Sequence, residues 1–551
     1  MKQISVNSVK NIENFVVKKE TIMKRRNFIK LSSLASASII TDACKKDVSS
    51  TSIPCRTNTI KKKAIVIGSG FGGSVTAHRL TEAGIETLLI ERGKRWTTDG
   101  VSRVFSNPLG TEKESTWLSN ESAQPFLPSF PIFNNKYIGV AEKIKHQNIT
   151  TVGAACYGGG SILSGGIMMQ PEESIYTRFF PAEVPYNELQ LKYFPKVKQA
   201  LNIVDANLAL LSHPNFKHND IFKQHNTTAG YTTVPISTEY NQNILQEEIN
   251  GTKKASALIG QSVFGCDSGV KNSLDKNYLY SAEQSGNLEV KTQSVVTSIA
   301  LNCNNNYLVS VNEIDEAGRV IKAIDYEAEY LFVCAGAIHT SKLFTAAKAK
   351  NTIPNLNDFT GTQFGNNGNT FIIRDNLREN TGATQAFPPI YGAQDFSDPQ
   401  FPLFIEHFPF SFGLELKSLG YNIMSINPTT GYFSYNSNND TVQLIYPLLA
   451  NNQQKQINSL ALNYAKNLNL INGGSLSNFL GTVPKSDVTY HPLGGMPMTK
   501  ATDAYGRVKN HTKLYVQDGA LMPGHTACVN PALTIAAIVE RNIETILNED
   551  F

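Results

Sequence analysis

The chain has 551 residues, is 41% apolar and 17% charged, and carries a formal net charge of +4. That length exceeds one ordinary domain and predicts two packed domains around a large core. The charge is too thinly spread for a nucleic-acid partner, because the basic clusters at Lys24–Arg26, Lys45–Lys46 and Lys61–Lys63 all precede the folded body.

The first sixty residues read as an address. Arg25 and Arg26 lead into the short apolar run LSSLASASII, a twin-arginine pattern, and Met23 is an alternative start to Met1. The run is too short to span a bilayer. Cys44 in TDACKKD resembles a lipoprotein acylation site, although Asp42 fits such a site poorly. Residues 1–60 are therefore expected to be a signal and tether, giving a periplasmic or secreted protein with Cys44 as a candidate lipid anchor.

From Ala64 the chain runs AIVIGSGFGGSVTAHRLTEAGIETLLIERG. Ile65–Ile67 predict a strand, Ser74–Ala83 a helix, and Leu88–Ile90 a second strand ending at Glu91. Gly68 makes the tight turn and Gly70 admits a pyrophosphate to the backbone. Gly72 lies in the same turn beside Phe71, and Gly73 lets the helix lie close to the strand. The phosphates would sit at a helix N-terminus, and Glu91 would accept from a ribose, favouring FAD or NAD over NADP.

Lys94–Thr151, with Trp96, Trp117 and several prolines, reads as irregular loops over a cofactor. Gly158–Gly166 then packs glycines where a backbone approaches something flat or charged. Strands are expected at Leu288–Lys291, Val295–Leu301, Tyr307–Asn312 and Ala328–Val333. Thr177–Asp275 and Phe371–Asp487 are richer in aromatic residues, Pro and Asn, with alternating patterns, and suggest an inserted α+β domain on a mixed sheet. The expected class is α/β, a Rossmann-like domain (61–176, 276–370, 488–551) interrupted by a substrate domain (177–275, 371–487).

Seven cysteines show no ligand spacing and the pattern demands no disulfide; ten scattered histidines suggest no metal site. Near the C-terminus stand Tyr490-His491-Pro492-Leu493-Gly494-Gly495, then Asp518-Gly519, then Asn530-Pro531 opening a helix from Ala532 to Leu547, with Asn530 as its cap. Phe404, Glu406 and Phe408 share one face of a strand. Glu406 is either a carboxyl desolvated among rings or an edge residue facing solvent.

The opening unit, GGGS, SLDKNYL, IPNLN, GNNGN, TYHPLGG…KATDAYGRV and VNP together resemble the glucose–methanol–choline flavin oxidoreductases, and within them the cholesterol oxidases with non-covalent FAD. The likeness runs from about Lys62 to the last helix. It implies that the ADP part of FAD lies on Gly68–Gly73 and Glu91, with Val296 at the adenine. The ring would lie against Gly160, Ser164, Ile167, Asp518, Gly519 and Ala532. It implies catalytic roles for three residues: His491 positions and helps deprotonate a 3β-hydroxyl, Asn530 stabilises the reduced ring, and Glu406 moves a proton from C4 to C6 to isomerise the 5-ene. O2 would be the acceptor, giving hydrogen peroxide. Ser164, Ile167, Met496 and Ala532 depart from the family pattern, and GHTACV looks one residue long. A second reading is therefore a dehydrogenase acting on another bulky alcohol with a different acceptor, and a third is a binding protein without turnover. The expected partner is a sterol or bulky alcohol, met through transient membrane-surface contact, and the protein is expected to be a monomer.

Overall fold

The structure is a computed structural model that describes residues 55–125, 131–409, 415–448, 453–477 and 487–551. The twin-arginine pattern, both candidate starts and Cys44 lie outside them. The strand expected at Ile65–Ile67 extends over Ile60–Ile67, followed by the helix Phe71–Glu82 and the strand Thr87–Ile90. These join Leu288–Lys291, Val320–Val333, Tyr307–Ile314, Ser294–Leu301 and Leu514–Val516 in one seven-stranded sheet.

The parallel register of this sheet positions the site. Ile67 pairs with both Ile90 and Val333, and Val333 pairs with Val516. Four strands from distant parts of the chain thus end in one row, so Gly68, Glu91, Cys334 and Gln517 emerge together at their carboxyl ends. A crevice at that edge is where parallel α/β sheets bind ligands. The helix Pro531–Asp550 packs on this half, where buried Glu540 takes two hydrogen bonds from Arg79, each 2.8 Å, and one from the Tyr278 hydroxyl.

The second sheet, of six strands, runs in the order Ser475–Leu476, Thr370–Asp375, Leu419–Met424, Leu403–His407, Tyr391–Asp395, Thr232–Pro235. The α+β class is as expected, but every pairing in this sheet is antiparallel rather than mixed. The loops joining Tyr391–Asp395, Leu403–His407 and Leu419–Met424 are too short for the crossovers that parallel neighbours need. The helices Lys217–Thr228 and Gln454–Asn472 close its core.

Three further features differ from expectation. The region expected to be irregular contains the strands Ala141–Lys145 and Ile149–Ala154, and Asp487–Thr489 pairs parallel with the latter. Cys55 and Cys303, separated by 248 residues, form a disulfide. Arg56 Nη1 meets Asp325 at 2.8 Å and Ile60 pairs with Tyr326, so the tether expected to run to residue 60 is already part of the fold at residue 55. Cys156, Cys266, Cys334 and Cys528 are free and buried.

Candidate functional site

A cavity of about 770 Å³ runs from the glycine turn of the first sheet to the face of the second. Gly68, Gly70, Phe71, Gly72, Glu91 and Val296 line one end; Gly160, Ser164, Ile167, Asp518, Gly519 and Ala532 line its length; Glu406, His491 and Asn530 line the far end. Gly73 does not line it. Its role is packing, since a Cβ there would stand 2.0 Å from the Gly68 carbonyl oxygen. Gly72 is equally confined, with a Cβ falling 1.8 Å from the Gln517 carbonyl. At Gly70 a Cβ would meet nothing within 4 Å, so the turn offers open backbone to the cavity.

Glu91 organises this end. It accepts from the Ser69 amide at 3.1 Å, the Ser69 hydroxyl at 2.7 Å and the Gly93 amide at 2.8 Å. A carboxylate accepts about four hydrogen bonds, so capacity for a ribose hydroxyl remains. Next to it Arg92 spans Glu142 at 2.7 Å, His339 at 2.9 Å and the Ala154 carbonyl at 2.8 Å. Burial alone would raise the Glu142 carboxyl, but Arg92 and His339 hold it well below its ordinary range. Sequence reasoning missed this cluster, whose members lie far apart in the chain.

Along the length of the cavity, Ser164 Oγ donates to buried Glu239 at 3.1 Å, and Lys271 Nζ donates to the carbonyls of Ile162, Ser164 and Ser262. Burial raises Glu239 to about 7. The Asp518 carboxyl is turned into the protein. It accepts from the Gly336 and Ala520 amides and the Thr340 hydroxyl.

At the far end, Thr362–Gly365 pairs antiparallel with Leu493–Gly495, matching Gly365 to Leu493. This lays the Gly365–Asn369 turn beside Thr489–His491. The Thr526 amide donates to Asn367 Oδ1 at 3.0 Å, so the Asn367 amino group faces the Val529 carbonyl at 2.9 Å and His491 Nδ1 at 3.4 Å. His491 Nδ1 is thus the acceptor, and the neutral ring carries its hydrogen on Nε2. Burial lowers the His491 pKa to about 4, so the imidazole is neutral around pH 7. Asn530 precedes the helix but makes no side-chain cap, contrary to the expected role. Its Oδ1 is buried without a partner, a polar group left for something in the cavity.

Glu406 lies in an interior strand, paired to Gly392 on one side and Asn422 on the other, and is buried, which excludes the solvent-facing alternative. Asn422 donates to its Oε1 at 2.6 Å, while Oε2 has no hydrogen-bond partner. Burial raises the carboxyl to about 7 against the smaller opposing effects of the Asn422 and Asn530 amides. Asn422 was not expected; it becomes visible only once the strand register is known. Among the described residues no group of three or more His, Cys, Asp or Glu is placed to hold a metal, and no helix is long and apolar enough to cross a membrane.

Comparison with known proteins gives a consistent family. A GMC oxidoreductase profile matches residues 62–360, a second GMC oxidoreductase profile matches 463–538, and a profile described as GMC oxidoreductase, C-terminal, matches 367–480. A cholesterol oxidase of Acinetobacter baumannii is 24% identical over 324 residues, 56% of this chain and 54% of that protein, so about half of that relative's length is matched. An uncharacterised GMC-type oxidoreductase of Sinorhizobium fredii is 21% identical over 89% of this chain and 95% of its own. The solved structure of pyridoxine 4-oxidase from Mesorbium loti aligns with a TM-score of 0.64 at 15% identity, covering 89% of this chain and all of that one, which establishes a shared fold.

Proposed function

This chain belongs to the GMC oxidoreductase family, and from that premise we propose that it is an FAD-dependent oxidase of the 3β-hydroxyl of cholesterol or a related sterol that also isomerises the 5-ene to the 4-en-3-one. The observation that carries the reading is the continuity of the cavity, with a glycine turn and ribose acceptor at one end and an imidazole, an amide and a desolvated carboxyl at the other. The residues fit FAD. Gly70 leaves room for a pyrophosphate, glycines at 160 and 519 flank the middle, and the orphaned Asn530 Oδ1 waits at the far end. When bound, FAD takes up the two electrons and the hydrogen removed from the carbinol carbon and passes them to O2.

The protein's own contribution is placement and proton handling. The neutral His491 ring, oriented by Asn367, donates from Nε2 to the substrate oxygen and so fixes the hydroxyl, whose proton, released as the carbinol C–H bond breaks, is the one that completes hydrogen peroxide when O2 is reduced. Apolar walls at Phe371, Phe387 and Phe408 exclude water and suit a large alicyclic body. Glu406, with a pKa near 7, is poised to accept a proton from C4 and return it at C6. The alternative, another bulky alcohol and an acceptor other than O2, draws support from Ser164, Ile167 and Ala532, which put unusual side chains along the cavity wall.

For the cell address, the reading is export by the twin-arginine route to the periplasm or outside, with Cys44 a candidate lipid anchor. The Cys55–Cys303 disulfide supports an oxidising compartment. A monomer drawing sterol during transient contact with a membrane surface completes the proposal. Mixing the purified yellow protein with cholesterol without oxygen tests it: the flavin absorbance should bleach and the 4-en-3-one should accumulate. Bleaching by other alcohols but not by sterols would select the alternative, and a colourless protein would remove both readings.

A further inference from the structure

A single directed chain of hydrogen bonds joins the two halves of the chemistry. The His491 backbone N–H, which can only donate, meets Thr489 Oγ1 at 2.8 Å. The Thr489 hydroxyl must then spend its own hydrogen elsewhere. It stands 2.7 Å from Asn369 Oδ1 and 3.1 Å from the Asn366 carbonyl, which already accepts from the Asn369 amide. The 2.7 Å contact is the usual length of an O–H···O bond, so Asn369 Oδ1 is the acceptor. That fixes the Asn369 amino group toward Asn422 Oδ1 at 3.3 Å, and in turn the Asn422 amino group toward Glu406 Oε1 at 2.6 Å. Gln454 anchors the turn by donating to the Asn369 carbonyl at 3.1 Å and accepting from Asn366 at 3.0 Å.

Strand register explains why these side chains meet. The strand Thr370–Asp375 begins one residue after Asn369 and pairs Phe371 with Asn422, which itself pairs with Glu406. Thr489, Asn369, Asn422 and Glu406 are all buried, so water is poorly placed to compete at any link.

We infer that this chain makes Glu406 Oε1 a permanent hydrogen-bond acceptor, so that the carboxyl takes up and releases its proton at Oε2 alone, the oxygen left without a partner, with Thr489, Asn369 and Asn422 as positioning residues. The consequence deepens the proposed isomerisation and rests on that reading. A C–H bond breaks as an O–H bond forms at Oε2, and the same O–H then breaks as a new C–H bond forms, so one oxygen serves both carbons and the carboxyl need not rotate. No charged side chain acts on the carboxyl. Gly392 and Asn422 face it from the neighbouring strands and Asn530 from the start of the last helix, while His407 on its own strand and His491 are the titratable neighbours along the wall.

The test is an infrared pH titration of the flavin-loaded protein, following the carboxyl C=O band that disappears in Glu406→Gln. Unaltered protein should titrate with a midpoint of about 7. Thr489→Val, which touches neither Glu406 nor Asn422, lets Asn369 and then Asn422 turn, and the midpoint should rise by about one pH unit because a donor to the ionised form is lost. Thr489→Ser restores the hydroxyl and should restore the midpoint, and Asn422→Leu should raise it at least as far as Thr489→Val. A folded, yellow Thr489→Val with an unchanged midpoint would overturn the inference. Should the variants not fold, neutron diffraction from unaltered protein held below the Glu406 midpoint decides: a deuteron on Oε2 supports the assignment and one on Oε1 rejects it. Neither readout needs a sterol. A titration that behaves as expected in a protein that never isomerises a 5-ene would therefore discard the functional reading while keeping the hydrogen-bond chain.

Discussion

The two sheets that face the cavity achieve placement by different means. In the seven-stranded sheet, position comes from backbone: parallel strands end in one row, and glycines at 68, 72 and 73 let segments touch where any side chain would collide. At the six-stranded sheet and the segments packed against its end, position comes from side chains: amides and hydroxyls of Asn367, Asn369, Asn422 and Thr489 hold His491 and Glu406 through directed hydrogen bonds. The first device is steric and tolerates almost no substitution. The second is electrostatic, and substitutions there should alter protonation before they alter folding.

Gly72→Ala should sharpen that contrast most. Its new Cβ would fall 1.8 Å from a backbone carbonyl that cannot swing away. A cost on the order of 5 kcal/mol is expected, seen as loss of bound flavin and a much lower melting temperature; a yellow, normally stable variant would break the steric account. His491→Ala comes next. Flavin should remain bound while its anaerobic reduction by substrate slows by about 10²–10⁴-fold, and an unchanged rate in stopped-flow measurements would remove His491 from the chemistry.

Glu540→Gln probes the seam between the first and last helices. It leaves the Arg79 guanidinium without its buried carboxylate, and should lower unfolding free energy by about 3 kcal/mol in denaturant titration with little change in the rate of flavin reduction.

Glu406→Gln should change stability by an amount that depends on pH, from nothing in acid to a gain in base. The native carboxyl titrates at about 7 and its ordinary value is 4.5. Between those values the native state binds the extra proton, so stability contributed by the protonated form is present at low pH and lost as pH rises through that window. The glutamine variant should match the parent at about pH 4 and exceed it at about pH 8 by roughly 3 kcal/mol. It should also lose isomerisation while retaining most alcohol oxidation. A pH-independent difference would contradict the desolvated setting of Glu406.

What could be read in the sequence follows the same division. The glycine turn, its strands and Glu91 are contiguous, so their spacing alone predicts the nucleotide end. His491, Asn530 and Glu406 were found through matched runs, because nothing local joins residues so far apart. Asn422 sits in an ordinary-looking strand, and its meaning depends on a register set by tertiary pairing with Glu406. The strands Ala141–Lys145 and Ile149–Ala154 form a hairpin whose turn, residues 146–148, has no glycine to announce it, and their third strand, Asp487–Thr489, comes from far along the chain. Asn530 shows the converse error: the residue type before Pro531 is that of a helix cap, yet its side chain faces the cavity.

The account depends most on one bound coenzyme spanning both ends of the cavity. A crystal structure of the yellow protein with a sterol tests this directly. The account predicts the pyrophosphate against Gly70, the adenosine ribose at Glu91, and the flavin ring and sterol hydroxyl between His491 and Asn530. A flavin bound elsewhere, or a sterol hydroxyl remote from His491, would contradict it.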